Sequence, residues 1–130
     1  MRRESREIAM HVLFHKEFEK DFQIRNFLSL YDKQFNKETL DYAQTLTNGC
    51  NEHAEKIDQL INSSSNQWRI ERMSSVDRNI LRLAVFEMKF SSSIIPPHVA
   101  INEALEIAKK YSAAESISFI NGVLDQVAKR

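Results

Sequence analysis

The sequence predicts an all-α fold, and three observations carry that prediction. Its 130 residues contain only two glycines and two prolines, too little punctuation for a chain of strands and turns. Apolar residues recur at helical spacing through most of the chain. Ser-x-x-acid spacings at Ser74–Asp77 and Ser112–Glu115 read as helix starts. The composition, 42% hydrophobic and 28% charged, is that of an ordinary globular domain long enough to bury a real core.

The elements follow in chain order. Ile8, Ala9, Val12 and Leu13 share one face of a first helix from about Arg3 to Lys20, with Phe18 a further inward candidate. Ile24, Phe27, Leu28 and Tyr31 give a short second helix the i, i+3, i+4, i+7 stripe. Asn36 is placed to cap a long third helix with the seam Ala43, Leu46, Cys50, His53, Ile57 and Leu60. The low-complexity stretch NSSSNQ (62–67) marks a linker, and Trp68 and Ile70 follow it in a short turn. Ser74 opens a helix running to about Phe90, apolar nearly all round except for Arg78, Arg82 and Lys89. That pattern makes it the central helix of its bundle. Pro96 and Pro97 pre-set the next helix, whose stripe is Ile101, Ala104, Leu105, Ala108 and Tyr111. Ser112 and Glu115 form a capping box opening the last helix, with Ile117, Ile120, Val123, Leu124 and Val127 inward. The expectation is one domain of about seven helices in two small bundles: about 1–63, the linker 62–67, and about 68–130.

Bulk properties exclude several classes. No apolar run approaches the roughly 20 residues of a membrane span. The basic start MRRESREIAM has no apolar stretch after it, so no secretion signal is read. A single cysteine, Cys50, permits no internal disulfide and fits a reducing compartment, hence a cytoplasmic protein. The net charge is zero, which argues against a surface that is basic throughout but allows a local basic patch.

No enzyme signature emerges: there is no Gly-rich phosphate loop, nucleophile elbow or CxxC. Neither a cofactor nor a metal is expected. His11 and His15 are spaced for chelation from one helix face, yet no third ligand is evident. Glu87 falls on the apolar side of its helix and reads as a structural acid that must find a buried partner. Cys50 and His53 read as core. Arg2, Arg3 and Arg6 sit at a helix start, where the macrodipole disfavours cations. They are either a solvated terminus or a site for anions such as nucleic-acid phosphates. Phe119 and Gly122 lie off the apolar face of the last helix. A large aromatic and a destabilising glycine on the outer side of a helix need a reason outside that helix.

The segments WRIERMSSVDRNILRLAVFEM, IPPHVAINEALEIAKKY and FINGVLDQVAKR together resemble the NusB family of bacterial antitermination factors. RRESREIAMHVLF resembles that family's Arg-rich first helix, with His11 where a glutamine is common. Residues 21–67 match in pattern only. The resemblance implies two perpendicular three-helix bundles and a non-enzymatic role. That role is binding single-stranded boxA leader RNA of ribosomal RNA operons with NusE, a ribosomal small-subunit protein. The resulting complex helps RNA polymerase read through terminators. By motif, Arg2, Arg3 and Arg6 match the basic helix. Glu115, Ser118 and Phe119, with Gly122 beside them, match the RNA surface of the last helix, where a basic residue often stands in place of Ser118. Asp77, Arg78 and Arg82 match part of the side facing NusE. A second reading is the NusB-like module of rRNA cytosine methyltransferases, which would need a cofactor-binding domain. A third is a protein-interaction bundle with no RNA role. The oligomeric state is left open, a homodimer included.

Overall fold

The apolar stripes become seven α-helices: α1 (Arg2–Lys16), α2 (Ile24–Leu28), α3 (Lys37–Glu52), α4 (Ala54–Ser64), α5 (Ser75–Val85), α6 (Pro97–Tyr111) and α7 (Ser116–Ala128). The computed structural model describes residues 2–31 and 33–130, with no strand among them. A 3-10 turn, Ile70–Arg72, leads into α5, and a π-helical turn, Phe86–Phe90, ends it.

Local chemistry sets several starts. Asn36 caps α3 by accepting the Thr39 N–H at 2.8 Å. Ser74 caps α5 by accepting the Asp77 N–H at 3.1 Å. Pro97 occupies the first turn of α6, where its missing N–H costs nothing.

Helix α5 is central. Ile80, Leu81, Leu83, Ala84 and Val85 are all buried, because α1, α3, α4, α6 and α7 all pack on it. Ile120, Val123, Leu124 and Val127 of α7 close the same core. A smaller cluster joins Ile8 and Val12 of α1 to Phe22, Ile24, Phe27 and Ala43. Helix α4 rests on α5 and α7, so packing continues across the 62–67 segment.

Four sequence expectations change. Helix α1 ends at Lys16, and Phe18 is 75% exposed rather than inward. The long third helix is two helices, bending at His53. No glycine or proline marks the bend; there the His53 ring stacks on Phe90 at 4.9 Å. Helix α5 gives way to the π turn, in which the Ser91 N–H bonds the Phe86 carbonyl at 2.9 Å. The Ser112–Glu115 capping box does not form. Helix α7 starts at Ser116, and its N-cap residue Glu115 makes no side-chain cap. Ser112 instead donates to Asp77 Oδ1 at 2.6 Å.

Gly49 lies mid-helix in α3 because Phe86 leaves no room for a side chain. A Cβ there would stand 2.1 Å from the Phe86 ring. Gly49→Ala gains helix propensity of under about 1 kcal/mol, yet overpacking costs about 1–3 kcal/mol. The expected outcome is net destabilisation, read as a lower denaturant midpoint. An unchanged midpoint would mean that the π turn yields freely.

Candidate nucleic-acid interface

The three N-terminal arginines have different fates. Arg6 is only 5% exposed. Its Nε bonds the Glu87 carboxylate at 2.8 Å, and its Nη1 lies 3.4 Å from Glu103. Tyr42 donates its hydroxyl to the same Glu87 carboxylate. Burial alone would favour loss of the Arg6 charge, but the bond and charge of Glu87 outweigh it and hold the guanidinium more firmly protonated. Burial and the bond to Glu87 push the Tyr42 phenol up to about 12. The expectation that Arg6 meets phosphate is therefore corrected, since its head lies inside the fold on a carboxylate. Glu87 is the partnered structural acid its position required.

Arg2 and Arg3 face outward. The Arg2 guanidinium lies over the Tyr42 ring, 3.9 Å from its centroid. Arg3 grips Glu103 through two bonds of 2.9 Å. Arg3 also borders a cleft of about 500 Å³ beside α2 and the end of α6, where His11 lies between Phe27 and Tyr111. His15 stacks on Phe22 at 4.5 Å.

The α7 candidates do come together. Glu115, Ser118, Phe119 and Gly122 line one open cleft of about 490 Å³, with Asn66, Gln67 and Gln126. A Cβ on Gly122 would meet nothing within 4 Å. Close helix packing therefore does not explain Gly122; it leaves one wall of the cleft low. Phe119 rests partly on the core while its ring lines this cleft and a second one of about 350 Å³. Sequence reasoning passed over Gln67, Trp68 and Arg72, which line the second cleft. The chain's one tryptophan, directly after the polar stretch NSSSNQ, was the available signal. Neither cleft shares a lining residue with the Arg3 cleft.

Asp77, Arg78 and Arg82 do not form one free surface. Asp77 is 8% exposed and accepts from Ser112. Arg82 pairs with Asp58 at 2.9 Å. Arg78 binds Glu17 through Nε at 2.9 Å and through Nη2, and Arg82 reaches Glu17 at 3.3 Å. Ser75 and Asn79 also donate to Glu17, each at 2.8 Å. Asp77 thus offers no free carboxylate to a partner. The two arginines are engaged at the edge of a cleft of about 590 Å³ beside exposed Phe18.

The sequence matches the NusB family over residues 3–129. This chain belongs to the NusB family. The transcription antitermination protein NusB of Bdellovibrio bacteriovorus is 46% identical over 128 residues, 98% of this chain and 95% of that one. NusB of T. maritima superposes with a TM-score of 0.87 at 37% identity, covering 100% of this chain and 92% of that one. A NusB solved with NusE and double-stranded RNA superposes with a TM-score of 0.82 at 29% identity, covering 98% and 96%. Such relatives carry the name of an antitermination protein, not of an enzyme. Among the described residues, no helix is long and apolar enough to cross a membrane.

Two outcomes follow from these pairings. Arg6→Ala leaves Glu87 buried without its cation, which costs about 3–5 kcal/mol; Arg2→Ala removes a surface cation–π contact worth about 0.5–1 kcal/mol. Denaturant titration should separate the two variants, and equal midpoints would refute this division. Glu17 supplies a pH signature. Partial burial opposes its charge, but hydrogen bonds from Arg78, Ser75 and Asn79 and the Arg78 charge outweigh it, holding the carboxyl at about 2. Since the folded value lies below the unfolded one, this stabilisation is present above about pH 4.5 and is lost as pH falls towards 2. Glu17→Gln should flatten that part of the acid-stability profile; a profile as steep as wild type would exclude Glu17 as the titrating group.

Proposed function

We propose that this protein is a cytoplasmic, RNA-binding antitermination factor. It binds boxA-type leader RNA of ribosomal RNA operons with NusE and promotes read-through by RNA polymerase. The observation that carries the RNA-binding surface is the cleft where Phe119, Glu115, Ser118 and Gly122 converge. An aromatic ring beside open amide side chains suits unpaired bases, which stack on aromatics and bond through their edges. Support for the partners comes from the solved relative assembled with NusE and double-stranded RNA, which supports NusE and RNA as partner classes.

Arg2 acts as an outlying phosphate contact on α1, and Arg3 joins it only by releasing Glu103. Helix α4 runs on through Ser64, so the expected 62–67 linker is only the short segment after it, and that segment brings Asn66 and Gln67 to the cleft. For NusE, the corner formed by Glu17, Arg78 and Arg82 beside Phe18 is the surface that Arg78 and Arg82 serve. The methyltransferase-module reading is weaker, because the chain spans 95% of a relative that is itself a NusB.

Titration of single-stranded boxA-type RNA, with and without NusE, tests this function. Phe119→Ala should weaken binding by about 1–3 kcal/mol, one base–aromatic stack. Glu115→Gln removes the carboxylate at the cleft and should tighten binding, most at low salt where screening is weak. Unchanged affinity in both variants would move the RNA site off α7, and no RNA binding even with NusE would overturn the function.

A further inference from the structure

Trp68 is the chain's one tryptophan, and it stands 50% exposed on the short segment between α4 and α5. Burying so large a ring is a major source of folding energy, so leaving it half in water calls for an explanation outside the core. The segment is not loose. The Trp68 N–H bonds Ser65 Oγ at 3.2 Å, the Ile70 N–H bonds Asn62 Oδ1 at 2.8 Å, and Ile70 is buried. The indole is thus presented on a backbone pinned at both ends.

Its surroundings have the chemistry of an unpaired nucleic-acid strand. Trp68 and Phe119 line the same cleft of about 350 Å³, together with Gln67 and Arg72. Gln67, Phe119 and Glu115 also line the adjoining cleft on α7, so the two clefts meet at these residues, with one carboxylate among them. Arg72 is exposed, and its guanidinium has no ion-pair partner among the described residues. Two aromatic faces, an amide that can donate and accept, and a free guanidinium are the parts that hold single-stranded RNA.

We propose that Trp68 and Phe119 form a two-platform clamp for successive bases of single-stranded RNA, with Gln67 reading a base edge between them and Arg72 on the phosphate. This rests on the RNA-binding function proposed above and extends its site from α7 across the linker to the start of α5. The backbone of each platform is anchored, by buried Ile70 beside Trp68 and by buried Ile120 beside Phe119.

The test uses the full chain with NusE and short single-stranded boxA-type RNA. Trp68→Ala should weaken binding about 5- to 150-fold, the loss of one base stack, while Trp68→Phe retains most of the affinity. Arg72→Ala should lower the salt slope of binding by about 1. RNA should quench the Trp68 fluorescence, isolated by difference against Trp68→Phe, and thermal melts should show Trp68→Ala folded. If Phe119→Ala loses affinity while Trp68→Ala binds as wild type without quenching, the clamp is wrong and the α7 site stands. If wild type binds no RNA with NusE present, clamp and function fall together.

Discussion

The buried pair of Arg6 and Glu87 ties the first helix to the end of α5. The partners are 81 residues apart in sequence. Tyr42 of α3 and Glu103 of α6 bond into the same cluster, so α1, α3, α6 and the end of α5 converge on one charge. Taking these groups from water is expensive, and the return is specificity of docking more than raw stability. Arg2 and Arg3, one turn before Arg6 on the same helix, are exposed at the helix end. The π turn belongs to this constraint as well. It holds Phe86, Glu87 and Met88 buried together, which aims Glu87 at Arg6 while Phe86 fills the space Gly49 leaves in α3.

The clefts depend on that frame at one remove. Helix α7 is anchored by Ile120, Leu124 and Val127, each fully buried. The ridge one turn away, with Glu115, Phe119 and Gly122, is therefore held in place rather than adapted to a ligand. Across from it, Ile70 anchors the segment that carries Trp68. Two aromatics on separate elements are thus set by core contacts rather than by each other, the rigid support that binding groups need to keep their geometry.

Much of the fold was legible in the sequence because it is local. The stripes of α1, α3 and α7, the caps at Asn36 and Ser74 and the prolines of α6 report on neighbours within a turn or two. What was not legible depends on partners far along the chain. Arg6 looks like its neighbours until Glu87 is placed beside it. Ser112 satisfies a capping pattern with Glu115, yet its hydroxyl goes to Asp77, 35 residues away. The bend at His53 coincides with its ring stacking on Phe90, a contact 37 residues away that no local breaker announces. The two glycines show the same limit. Both sit in helices, but Gly49 is held by a ring in contact and Gly122 faces open space. The site was half visible: motif resemblance marked the α7 residues, whereas Trp68 and Arg72 join them only once the linker folds back.

The cations themselves argue for how this surface discriminates. Sequence-independent binding to nucleic acid draws on free Lys and Arg, each releasing counterions when it meets a phosphate. Here many of them already hold a carboxylate: Arg3 with Glu103, Lys33 with Glu4, Lys110 with Glu7, and Arg78 and Arg82 with Glu17. A phosphate approaching any of these must first compete with an anion of the protein, which removes most of the gain. Duplex, whose bases are stacked on one another, then offers the protein mainly its backbone. On the proposed function an unpaired strand offers more, because its bases would leave water for Phe119 and Trp68, a gain that does not require breaking an ion pair. Neutral overall charge and paired surface cations therefore shift the balance from backbone attraction towards stacking. That leaves affinity modest in isolation and makes a second protein on the same strand the natural means of strengthening it.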